Sequence, residues 1–139
     1  MDVSSVMRTN VLSINPDREL SHIEEMMREF KTDHVLVLED GELVGLVSDR
    51  DIKRNKSPRA GTTTATTADN LTLKLKAHQI MGRNPVTIPE KTSVGDAIEL
   101  LLSKRIHSLP VVNDKGKVVG LITSTVLLRF LHKVVSLFE

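Results

Sequence analysis

The sequence predicts a mixed α/β fold built twice, and three observations carry that reading. The chain repeats itself: Met7, Asn10, Ile14, Glu25, Val37 and Asp40 recur 74 positions later as Met81, Asn84, Ile88, Glu99, Val111 and Asp114. After one inserted residue, Val44, Gly45 and Leu46 recur as Val119, Gly120 and Leu121. Each copy also holds an apolar stripe at helical spacing, followed by two β-branched runs around a turn.

The elements follow in the same order in both copies. A short helical turn ends near Met7 or Met81, and both methionines read as core. A brief strand comes next, "VLSI" or "PVTI", with Asn84-Pro85 marking a turn into the second. An amphipathic helix follows. In the first copy Leu20, Ile23, Met26, Met27 and Phe30 share a face. In the second, Ser93 is placed to cap, and Val94, Ala97, Ile98, Leu101 and Leu102 share the face. The hairpin "HVLVLEDGELVGLVS" turns at Asp40-Gly41; "LPVVNDKGKVVGLIT" is its partner with a longer loop. Each hairpin runs into a helix, a short one from near Asp49 and a longer one, "STVLLRFLHKVVSLFE", at the C-terminal end. The organisation is therefore a first motif over 1–57, a connector over 58–76 and a second motif over 77–139. The connector is Thr-rich, reads as an exposed loop with room for a flap, and ends in a helix around Leu71–Leu75.

Composition removes several function classes. The 139 residues hold 19 basic and 18 acidic side chains, a net charge of +1. That balance does not suit a general nucleic-acid or membrane-surface binder. Three Phe with no Tyr or Trp leave no stacking platform for single strands. No cysteine means no disulfide framework. No apolar run reaches the roughly 18 residues of a membrane helix, and "MDVSSVMRTN" lacks signal-peptide regions. The expectation is a soluble cytoplasmic protein. His22, His34, His78, His107 and His132 show no metal-ligand spacing, and no phosphate loop, dinucleotide fingerprint or nucleophile elbow occurs. The chain therefore reads as a non-enzyme, with no catalytic cofactor and no metal.

The residues "VMRTNVLSI" and "IMGRNPVTI", the strand entry "RIHSLPVV", and the hairpins with Gly45 or Gly120 and a following Ser or Thr resemble CBS motifs, named after cystathionine β-synthase. Two in tandem resemble a Bateman module. The "SDRD" ending, the Thr-rich connector and "LKLKAHQIM" are similar to small standalone prokaryotic pairs of the acetoin-utilisation type. The resemblance implies two βαββα repeats related by a pseudo-twofold axis, with sheets facing each other across two clefts. It implies an adenine nucleotide or S-adenosylmethionine as regulatory ligand, and a homodimer.

"GLVSDRD" and "GLITSTV" end the two hairpins differently: Asp51 stands where the second copy has Val126. Ser48 and Asp51 lie three apart at a strand-to-helix junction. A helix start offers free N–H groups to phosphate, and a carboxylate offers two acceptors to the hydroxyls of a ribose. The same Ser-x-x-Asp spacing is that of a capping box, and the two roles are compatible. The resemblance joins Asp51 to Arg105, His107 and the Pro85-Val86-Thr87 strand in one main nucleotide cleft. Backbone groups of that strand would read the adenine edge, and Arg50 would be a further phosphate partner. The second cleft, with Val11, Leu12, Asp33, His34 and Thr123, lacks the carboxylate and is expected to be weak or empty.

Three functions compete. The leading one is a ligand-sensing regulatory module that reports occupancy to an unknown partner protein, with the connector as its moving part. The second is a structural assembly module with vestigial clefts. It would dimerise through an apolar stripe of Leu127, Leu128, Leu131, Val134, Val135 and Phe138. The third, a nucleic-acid accessory protein, has only Lys53, Arg54, Lys56 and Arg59 in its favour.

Overall fold

The computed structural model describes residues 1–139. The chain forms two compact units. One is Leu12–Pro85; the other joins Met1–Val11 to Val86–Glu139.

In the first unit, β1 (Ser13–Ile14), β2 (His34–Glu39), β3 (Glu42–Ser48) and β4 (Gly82–Arg83) form a sheet in that order. β1 runs parallel to β2, and the other neighbours are antiparallel. Between β1 and β2 lies α1 (Leu20–Glu29), and after β3 comes α2 (Asp49–Asn55). Alternation along β2 and β3 sends Val35, Val37 and Val47 inward, where they meet Leu20, Ile23 and Met27 of α1 and Ile52 of α2. Phe30, grouped with that face by sequence, is instead half exposed. It lies beyond α1 as the C-cap, where the chain leaves the helix direction, and Lys31 follows with φ 52°.

The connector is more structured than an open loop. It holds α3 (Thr67–Leu71) and a 3₁₀ turn (Thr72–Lys74), and α4 (Ala77–Ile80) follows it. Helix α3 starts earlier than the apolar pattern suggests, because Thr66 and Asp69 form a reciprocal capping box. Ser57 Oγ donates to Asp69 Oδ1 (2.6 Å), Ser57 N–H to Thr72 Oγ1 (3.0 Å) and Gly61 N–H to Asn70 Oδ1 (2.9 Å). These bonds tie both ends of the Thr-rich stretch to each other.

The second unit repeats the plan with β5 (Ile88–Pro89), α5 (Val94–Lys104), β6 (Ser108–Val112), β7 (Val118–Thr123) and α6 (Ser124–Ser136). Its sheet order is β5-β6-β7. Ser93 caps α5 by accepting the Asp96 N–H (3.0 Å). Val94, Ala97 and Leu101 are buried against Leu109, Val111 and Ile122. Ile98 and Leu102 depart from the sequence expectation: they are 39% and 74% exposed, on the flank of α5 that faces α6 rather than the sheet. β5 starts only at Ile88, so Pro85, Val86 and Thr87 are not in a strand, contrary to the sequence reading. In the first unit Leu36 N–H donates to the Leu12 carbonyl (2.9 Å). Pro110 holds the place of Leu36 and has no N–H, so the corresponding bond to Val86 cannot form.

The turn that opens each copy in sequence completes the other copy in space. Val3, in a 3₁₀ turn over Val3–Ser5, is fully buried in the second unit's core, and its N–H donates to the Thr92 carbonyl (2.8 Å). Arg8 and Leu121 exchange backbone bonds at 3.0 and 2.9 Å. In the same manner α4 and β4 serve the first unit, with Ala77 N–H donating to Arg18 (2.8 Å) and Gly82 pairing with Leu46. Met7 and Met81 are half-buried and pack against the second and first cores respectively. Each lies on a glycine of the adjoining strand, Met81 on Gly45 and Met7 on Gly120, where a side chain would collide with it.

Candidate functional site: two strand-to-helix corners

The corner of the first unit is a closed capping box. Ser48 ends β3, and its Oγ accepts the Asp51 N–H (3.2 Å). Asp51 Oδ2 in return accepts the Ser48 N–H (2.8 Å) and the Ser48 hydroxyl (2.9 Å). The other oxygen, Oδ1, faces Arg54 Nη1 at 3.9 Å, and the side chain is 17% exposed. The cap thus occupies one oxygen and leaves the second with only a loose partner. Arg50 is exposed beside it and makes no ion pair. Asp33 and His34 flank the corner: Asp49 N–H donates to the Asp33 carbonyl (2.9 Å), and His34 pairs with Ser48 across the ladder. Leu12 and Pro85 also belong to this unit.

The corner of the second unit keeps the hydroxyl and loses the acid. Thr123, buried, accepts the Val126 N–H (3.1 Å) and caps α6. Ser124 N–H donates to the His107 carbonyl (3.1 Å), so the "RIHS" turn sits beside this corner as "TDHV" sits beside the first. Arg105 ends α5 in the left-handed region (φ 53°, ψ 45°), as Lys31 does after α1. Its side chain and that of His107 border an apolar groove of about 580 Å³ between α5 and α6. Val11, Val86 and Thr87 belong to this unit. Sequence reasoning missed the freedom of the Val86 carbonyl; the signal was Pro110, legible once the β5–β6 register is known.

Of the basic quartet after Asp51, three members already face carboxylates. Lys53 lies 3.7 Å from Asp49, Arg54 3.9 Å from Asp51 and Lys56 2.9 Å from Glu24. This leaves little charge for a nucleic-acid backbone. No three His, Cys, Asp or Glu side chains gather as metal ligands. No helix is long and apolar enough to cross a membrane.

The model of the CBS domain matches residues 3–57 and again 77–133. The chain belongs to the CBS domain family, as a tandem pair. A CBS domain-containing protein of Dictyostelium discoideum is 30% identical over 96% of this chain and 93% of its own length. A probable arabinose 5-phosphate isomerase of Haemophilus influenzae is 33% identical, but over only 33% of its length. An inosine-5'-monophosphate dehydrogenase of Thermoplasma acidophilum, 28% identical, is covered over 21%. The chain therefore spans a third or less of these two enzymes. Among solved structures, a Vibrio cholerae protein named for acetoin utilization superposes with a TM-score of 0.80 at 18% identity, covering 100% of this chain and 96% of that one. CBSX2, solved in complex with AMP, superposes at 0.75 with 25% identity, covering 96% and 97%. The CBS domain pair of MJ0100, solved with 5'-methylthioadenosine and S-adenosyl-L-methionine, superposes at 0.78 with 22% identity and the same coverage.

Proposed function

We propose that this CBS pair is a regulatory module that senses an adenosine-containing metabolite and reports its occupancy to a partner protein. The observation that carries the reading is the Ser48–Asp51 corner. One carboxylate oxygen closes the cap and the other, partly shielded, is left to accept from a ribose hydroxyl. Two further features support it. The Val86 carbonyl, relieved of a ladder bond by Pro110, is an acceptor for an exocyclic amine. The related pairs solved with AMP and with S-adenosyl-L-methionine bind ligands of this class. The family resemblance brings Arg105 and His107 to the same ligand, with Pro85 and Thr87 beside Val86, and Arg50 is a further phosphate partner because its guanidinium fork matches phosphate oxygens. The chain acts through binding rather than catalysis, and a ligand can bias a partner only by distinguishing two arrangements of the module.

The test is thermal melting with AMP, ADP, ATP and S-adenosylmethionine at millimolar concentration. A ligand at ~100 times its Kd adds about 2.7 kcal/mol of stability, a rise of several degrees for a chain of this size. Asp51→Ala removes the rise, and Arg105→Ala or His107→Ala reduces it. If no member of the panel moves the melting temperature of the wild-type protein, the reading fails.

A second reading, compatible with the first, is homodimerisation through the α5–α6 face. Leu102, Leu128, Leu131, Val135 and Phe138 are 74%, 64%, 52%, 41% and 85% exposed. Leu127 and Val134, placed by sequence on the same stripe, are half-buried, and Leu127 packs on the core. Leu128→Glu is expected to halve the mass seen by light scattering; an unchanged mass refutes this face as the interface.

A further inference from the structure

We propose that the connector is a strap that opens by itself, with the Ser57–Asp69 hydrogen bond as its latch and α2 as its anchor. Its two roots are firm. At one root Ile52 of α2 is buried in the first core, and Lys56 Nζ donates to Glu24 of α1 at 2.9 Å. At the other, Leu73 and Leu75 pack on the same core, and Leu20 N–H donates to the Leu75 carbonyl (2.7 Å). The chain between the roots is held differently. From Pro58 to Leu71 only Ala60 is buried, and α3 buries no side chain. Buried apolar area is what resists local opening, so the strap belongs to the low-stability end of this unit.

Polar bonds between two limbs close it. Ser57 supplies two of them, from its hydroxyl to Asp69 Oδ1 (2.6 Å) and from its N–H to Thr72 Oγ1 (3.0 Å). The third runs from Gly61 N–H to Asn70 Oδ1 (2.9 Å). Each limb keeps its own bonds when the two part. Ala60, Thr62 and Ala65 donate to Ser57, Arg59 and Thr62 on one side, and the Thr66–Asp69 capping box holds the other. Opening thus breaks the cross-limb bonds and leaves both limbs structured. The Ser57–Asp69 bond is the strong member of the set, because its acceptor is a carboxylate. The anchor leads back to the Asp51 corner. Ser57 comes directly after Lys56, the C-cap of α2, a helix of seven residues that starts at the Ser48–Asp51 box. Asn55 Nδ2 donates to the Asp51 carbonyl (2.7 Å), and Lys56 N–H to the Ile52 carbonyl (2.9 Å). A helix this short forms and frays as one unit. Loosening at Asp51 therefore reaches Ser57, and through it the exposed tip from Gly61 to Thr64.

The experiment is limited trypsin digestion of the full chain, with the cut sites read by mass spectrometry. Arg59 is exposed, but Ala60 beyond it is buried, so cleavage between them requires the strap to open. When opening and closing are fast, the rate of that cut follows the open population. Expected is cleavage at Arg59–Ala60 while circular dichroism shows the fold intact. Ser57→Ala removes the latch and speeds the cut roughly tenfold; Asn70→Ala, at an exposed position, removes a neutral bond and speeds it less. Asp51→Ala, which opens the capping box, speeds it as well. Ser93→Ala, which uncaps α5 in the second unit, leaves it unchanged. Cleavage that comes only with global unfolding, a rate unmoved by Ser57→Ala, or an equal acceleration by Ser93→Ala overturns the strap. A rate unmoved by Asp51→Ala overturns its anchorage in α2. None of these readouts involves a ligand, so failure of the adenosine panel leaves the strap standing, and failure of the strap leaves the functional reading to its own test.

Discussion

The two strand-to-helix corners share a backbone and differ in one side chain. In the first, Ser48 and Asp51 satisfy each other's orphan groups, and Asp51 also draws Arg54. In the second, Thr123 caps α6 alone, and Val126 turns to the core. A helix start needs only one acceptor to be capped, so the fold tolerates the loss of the acid. The ligand chemistry does not tolerate it, because a valine offers no acceptor to a ribose and no partner to an arginine. One position thus divides two units of common design: a carboxylate facing Arg54 at one corner, an apolar side chain packed on the core at the other.

The largest expected effect tests the common design. Gly45→Ala and Gly120→Ala each place a Cβ against a methionine and 3.0 Å from a backbone carbonyl, that of Gly82 or Arg8. Both should lose about 1–3 kcal/mol by urea denaturation, the usual cost of overpacking. Unequal losses would show that the two arms are not docked equivalently. The exchange of corner residues comes next. Asp51→Val should cost about 1 kcal/mol, since Ser48 loses both bonds to the carboxylate. Val126→Asp should stabilise by up to about 1 kcal/mol, through a new box with Thr123 and a pair with Arg129. A neutral result for both would dissolve the distinction between the corners as far as stability is concerned.

The smallest effect concerns the connector, which only the first unit carries. The Ser57 hydroxyl, and after it the Thr66 backbone N–H, hold the Asp69 carboxyl below the usual carboxylate range. A depressed pKa means stabilisation that is complete at neutral pH and lost as the pH falls through the folded-state value. The amide of Thr66, which donates to Asp69 Oδ2, should therefore shift only below the pH range of ordinary carboxylates. Ser57→Ala should raise the Asp69 titration towards the ordinary value, measured by side-chain NMR. An unmoved titration would mean that the Ser57 bond does not govern this carboxyl.

Much of this was legible in the sequence for local reasons. The caps at Ser48, Ser93 and Thr123 and the Asp40-Gly41 turn depend on neighbours a few residues away, and the 74-residue repeat shows when the sequence is laid against itself. The missing carboxylate at Val126 was visible for the same reason. Features that need a register or a partner segment were not. The shortened β5 requires knowing that Pro110 faces the place before Ile88. The exposure of Ile98, Leu102 and Phe30 requires knowing which flank of each helix the sheet covers.

By itself the sequence determined the two-fold repeated order of elements, their caps and turns, and the asymmetry of the corners. Only the tertiary structure decided which copy each opening turn completes. Met7 and Met81 are apolar residues that must find a core, and that much is written in their pattern. Hydrophobic burial is non-directional, however, and either copy offers the same glycine to receive them. Chain connectivity and packing settle the choice: Met1–Val11 completes the unit of Val86–Glu139, while Ala77–Ile80 and Gly82–Arg83 complete that of Leu12–Pro85.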